Sequence, residues 1–125
     1  MRENELSSFA LNAALKVHTA LGPGLLESAY EACLVHELRK LRLSVATQQC
    51  LPIAYDGIKI DAGYRLDVVI EELLILELKA IDTLAPIHTA QLLSYLKLSG
   101  KKLGLLMNFH VLHMKDGIKR VVNRL

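Results

Sequence analysis

The chain has 125 residues, 52% of them hydrophobic and 22% charged, and a net charge of +2. That length supports one domain with a proper core, and the composition excludes disordered, collagenous and disulfide-rich classes. No apolar run reaches the roughly 18 residues of a membrane span, and the start, MRENELSSFA, lacks the basic-then-apolar layout of a secretory leader, so a cytoplasmic protein without a membrane partner is expected.

Trp is absent and aromatics are few, so the core is aliphatic. Cys33 and Cys50 have no CxxC partner, which reads as two buried free thiols rather than a disulfide. Charge is unevenly placed: residues 1–96 carry 8 Lys/Arg against 12 Asp/Glu, and residues 97–125 carry 7 against 1. A basic segment of that kind attracts nucleic-acid phosphates through Lys101, Lys102, Lys119 and Arg120, or it is only a solubilising surface.

Residues 4–21 read as a helix with Phe9, Leu11, Ala14, Leu15 and His18 near one face. Gly22-Pro23-Gly24 breaks it, and a second helix is expected from about 25 to 41. Strands 45–55 and 58–70 then flank the turn dipeptide Asp56-Gly57 as one long hairpin, pairing 55 with 58, 53 with 60 and 51 with 62. Leu73–Ala80, LLILELKA, is too apolar for a sheet edge and reads as a central strand buried on both faces.

The register of the next hairpin follows from its pattern. Leu66, Val68 and Ile70 must share a face with Leu74, Leu76 and Leu78, because a one-residue slip turns every side chain over. A three-residue connection, Glu71-Glu72-Leu73, pairs 70 with 74 and sets Asp67 across from Glu77. Facing carboxylates repel, which has no structural purpose. A five-residue loop is the competitor, and would set Asp67 across from Lys79 as an ordinary ion pair. Pro86 suits the first turn of a third helix, 86–99, and Gly100 its cap. Strand 103–109 is apolar throughout, and a turn at Lys115-Asp116-Gly117 leads to a short final strand. The order ααβββαβ(β) describes an α/β sandwich with a mixed sheet.

Glu77 and Lys79, two apart in one strand, lie on the same face. Carboxylates one cross-strand distance apart can share Mg²⁺, and a lysine beside them can orient water and offset charge developing on phosphorus. The D-x9-ExK spacing alone is common, so its weight comes from the register and the apolar strand around it.

GYRLD…ELKA followed by HTAQLLSYLK resembles the PD-(D/E)XK nuclease superfamily. GLLESAY, Gly24 to Tyr30, is similar to the motif of its small bacterial and archaeal GxxExxY family, and the similarity runs from VHTALGPGLLESAY to KDGIKRVVN. Leu66 stands where the superfamily motif has proline. The resemblance implies a restriction-endonuclease-like fold and a Mg²⁺- or Mn²⁺-dependent phosphodiesterase acting on DNA. It makes Asp67 and Glu77 metal ligands, Lys79 the catalytic lysine, and Gln91 and Tyr95 the QxxxY pair of RecB-like nucleases, with His88 on the same helix face. Such enzymes add a ligand from the N-terminal helical region. Glu27 is favoured for that role over helix capping, and His18 reads instead as a structural histidine. Tyr30 shares a face with Glu27 and packs. Two alternatives stay open: a non-catalytic nucleic-acid-binding or regulatory subunit, and a dimerisation module, for which a homodimer is expected.

Overall fold

The computed structural model describes residues 1–125. Two helices come first, α1 (Arg2–Leu21) and α2 (Glu27–Lys40), followed by β1 (Val45–Cys50), β2 (Ile53–Tyr55), β3 (Ile58–Ile60), β4 (Arg65–Ile70) and β5 (Leu74–Lys79). Helix α3 (Pro86–Ser99), β6 (Leu103–Asn108), a 3-10 turn (Met114–Gly117) and β7 (Ile118–Val122) complete the chain. The main sheet has the order β1-β4-β5-β6-β7, with β5 and β6 parallel and the other pairs antiparallel. It is the expected mixed sheet.

Layering follows from strand alternation. Leu74, Leu76 and Leu78 of β5 pack with Val68 and Ile70 against Leu6, Ala10 and Ala14 of α1 and Tyr30, Leu34 and Leu38 of α2. Ile75 faces the other way, into Leu92, Tyr95 and Leu96 of α3. Strand β5 is therefore covered on both faces, as its composition requires. Helix α3 runs from Pro86 to Ser99 as expected, and Gly100 caps it in the left-handed conformation at φ 73°. No helix is long and apolar enough to cross a membrane.

Four expectations are corrected. The long hairpin divides: β1 pairs with β4 (Val45↔Ile70, Cys50↔Arg65), while β2 and β3 form a separate two-stranded sheet in the expected 55↔58 register. Leu51 does not pair with Ala62; its N–H donates instead to the Tyr64 carbonyl. Pro52, without an N–H, sits at the break between β1 and β2. Leu66 leaves the face of Val68 and Ile70 and packs on the α3 side, because the β1–β4 ladder is interrupted at Gln48 and Asp67, where Gln48 has φ 50°. On α1 the buried stripe is Leu6, Ala10, Ala13, Ala14, Val17 and His18, and Leu15 is exposed. The cysteines are free, but Cys33 is only half-buried and Cys50, ending the exposed edge strand β1, is open to solvent.

Candidate active site

The three-residue turn Glu71-Glu72-Leu73 is the one that forms, with Ile70↔Leu74, Val69↔Ile75 and Val68↔Leu76 paired. The ladder stops where Asp67 and Glu77 would come next. There the side chains take over the backbone donors of the opposite strand: Asp67 N–H donates to Glu77 Oε1 at 3.2 Å, and Leu78 N–H donates to Asp67 Oδ2 at 2.9 Å. The two carboxyl groups are thus locked across the strand ends. Glu77 is only 5% exposed. Burial, and after it the Asp67 charge, push its carboxyl up to about 8, against the pull of Asp67 N–H and of Lys79. Lys79 is half-buried at the end of β5, and its carbonyl accepts Phe109 N–H.

Helix α2 brings two more carboxylates. Glu27 occupies its first position and makes no capping hydrogen bond. Burial first, then the charges of Asp67 and Glu31, raise its pKa, while Lys79 lowers it. Its charge therefore belongs to the same neighbourhood. Glu31, which sequence reasoning passed over, lies one turn further along. Gln48 Nε2 donates to Glu31 Oε1 at 2.8 Å and to Asp67 Oδ1 at 3.5 Å, so one amide bridges two acids. Burial raises the Glu31 pKa, with a contribution from Asp67. The signal that could have found it is the i, i+4 spacing from Glu27. Tyr30 holds this end of α2 in place. Its ring is fully buried and stacks on Phe109, and its hydroxyl donates to Gly22 O at 2.6 Å while accepting Leu25 N–H.

Helix α3 contributes Tyr95, 8% exposed, whose phenol is raised by burial and then by the charge of Glu77. Gln91 is one turn earlier and exposed, without a hydrogen bond to the carboxylates. His88 is occupied at the helix start, where its Nδ1 accepts Ala85 N–H at 2.9 Å. His18 is buried with Nε2 at 2.7 Å from Val111 O, the structural role expected of it.

The basic residues 97–125 do not form one surface. Lys101 Nζ donates to the Glu72 carbonyl, at the β4–β5 turn, the end of the sheet away from Lys79. Neighbours on β7 point to opposite faces: Arg120 bonds Asn4 of α1, while Lys119 lines a hollow with Pro86 and Leu93 of α3. Lys102 lies with Lys97 and Arg124 around another hollow.

The acidic side chains at this end of the sheet offer carboxylate oxygens, which suit a hard cation retaining several waters. No three His, Cys, Asp or Glu side chains are gathered tightly enough to enclose a metal ion. Asp67 and Glu77, with Glu27 and Glu31 on α2, are the residues whose chemistry suits such a cation.

A family model described as the PD-(D/E)XK nuclease superfamily matches residues 4–121. No curated protein matches the chain significantly, and no solved structure does.

Proposed function

The chain belongs to the PD-(D/E)XK nuclease superfamily, and on that premise we propose that it is a metal-dependent phosphodiesterase of the GxxExxY type that hydrolyses DNA. The observation carrying this reading is the cross-strand lock of Asp67 with the buried Glu77. The charge of Asp67 adds to burial in raising the cost of ionising Glu77. A divalent cation removes that cost.

In this reading Asp67, Glu77 and Glu27 would hold Mg²⁺ or Mn²⁺, with the Glu31 carboxylate one turn along α2 beside them. The cation, when bound, polarises the phosphoryl group and favours ionisation of the attacking water. Lys79 orients that water and offsets charge developing on the phosphate oxygens. The water gives one proton to bulk solvent as its oxygen bonds phosphorus, the bond to the leaving sugar oxygen breaks, and the departing oxygen takes a proton from a solvent water. Tyr95, whose phenol feels the charge of Glu77, borders the site from α3 in this reading, and the exposed Gln91 one turn earlier would contact the phosphate. Lys101, Lys102, Lys119 and Arg120 act as separate long-range attractors for the DNA backbone rather than as one binding strip.

A second reading, a non-catalytic nucleic-acid-binding subunit, is favoured by one observation: no three-ligand metal cluster is assembled. Incubating the protein with labelled DNA in Mn²⁺, Mg²⁺ or EDTA separates the two. Cleavage with metal that disappears in EDTA and in Lys79→Ala supports the nuclease. Binding without cleavage in any metal supports the subunit.

A further inference from the structure

Tyr64 immediately precedes β4, three residues before Asp67, which is about 10 Å along a strand. The residue is 41% exposed, and its ring lies 6.0 Å from the ring of the buried Tyr95, tilted by 57°. The backbone beneath it is fixed, because the Tyr64 carbonyl accepts both Leu51 N–H at 3.0 Å and Arg65 Nη1 at 2.9 Å. An aromatic ring braced on one side by a buried neighbour and open to solvent on another is a stacking platform. Its neighbour Arg65 keeps a partly exposed guanidinium beside it.

We propose that Tyr64 stacks on a nucleobase beside the scissile phosphate, and that the substrate is therefore a DNA strand with an unpaired base at that position. The proposal rests on the nuclease reading for the location of the phosphate. It adds the substrate class: single-stranded DNA, or duplex ends and flaps where a base is free. Inside a duplex both faces of a base are covered by its stacked neighbours, and a ring on the protein surface cannot reach them. An unpaired base offers a bare face, and stacking of this kind tolerates any sequence. Tyr95 supplies the rigid backing, and the exposed position of Tyr64 means its replacement leaves the core intact.

The test uses oligonucleotides carrying 2-aminopurine, whose fluorescence is quenched on stacking, bound in EDTA to wild type, Tyr64→Phe and Tyr64→Leu. Wild type and Tyr64→Phe should bind the single strand with quenching. Tyr64→Leu should lose the quenching and bind about tenfold more weakly, with duplex affinity unchanged. In Mn²⁺, wild type should cleave single strands and frayed ends faster than blunt duplex, and Tyr64→Leu should lose that preference. Undiminished quenching and affinity in Tyr64→Leu overturn the proposal, even if cleavage is retained. Loss of quenching in a protein that cleaves nothing supports the stacking site and removes the nuclease reading. Absence of any DNA binding by wild type overturns both.

Discussion

Asp67→Asn in the metal-free protein isolates the repulsion at the candidate site. The amide keeps an oxygen to accept Leu78 N–H, so the 2.9 Å hydrogen bond survives while the charge beside Glu77 is removed. The Glu77 carboxyl is raised from 4.5 to about 8 on folding. A raised acid favours the folded state fully below its unfolded pKa, and that contribution is lost as pH rises through the folded one. At about 1.4 kcal/mol per pH unit, the ceiling on that loss between pH 4.5 and 8 is about 5 kcal/mol. Burial is the larger cause and Asp67 the second, so removing the Asp67 charge should recover about 1–2 kcal/mol at pH 8 and little at pH 5. For a chain of 125 residues that is about 4–8 °C in melting temperature. Melts followed by circular dichroism in EDTA, at pH 5, 6, 7 and 8, read it directly. The variant should gain on wild type steadily as pH rises. Destabilisation by several degrees, the outcome for a structural Asp67–Lys79 ion pair that strands a lysine, refutes the reasoning.

Three further outcomes follow from the same geometry. Mg²⁺ or Mn²⁺ should raise the melting temperature of wild type but not of Glu77→Gln, and the midpoint concentration should fall about tenfold per pH unit up to about pH 8, since the ion competes with the Glu77 proton; calorimetric titration checks the slope. Tyr30→Phe keeps the stack on Phe109 but frees the Gly22 carbonyl and Leu25 N–H, so it should cost about 1–3 kcal/mol in a urea melt. Gly117→Ala drives a Cβ into the Asn108 carbonyl, so it should cost about 3 kcal/mol or more, lowering the melting temperature by roughly 10 °C.

What the sequence made legible was decided by local rules. Pro86 and Gly100 bracket α3 because one fits a helix start and the other a left-handed cap, and neither depends on the rest of the chain. The Ile70↔Leu74 register was readable because Val68 and Ile70 have to share a face with Leu74, Leu76 and Leu78, and a one-residue slip would separate them. The split of the hairpin was not. The break falls at Pro52, a signal that the Asp56-Gly57 turn outweighed in the sequence, and tertiary packing then turns Leu51 and Leu66 toward α3. Glu31 was missed because its partner Gln48 is brought to it by that same interruption in β1. A charge count marked residues 97–125 as basic but could not show how they are distributed: Arg120 bonds Asn4 of α1, while Lys119 lines a hollow beside α3. Asp67 and Glu77 meeting across the hairpin follows from the register, whereas the backbone donors that lock them belong to the folded ends of β4 and β5.

The most direct test of the central claim is single-turnover cleavage of a labelled DNA strand by wild type, Asp67→Asn, Glu77→Gln and Lys79→Ala in Mn²⁺ and in EDTA. The account predicts cleavage by wild type in Mn²⁺ alone, and a loss of at least about a hundredfold in each variant, with all four proteins folded by circular dichroism. Cleavage that persists in EDTA, or that survives intact in Glu77→Gln and Lys79→Ala, contradicts it.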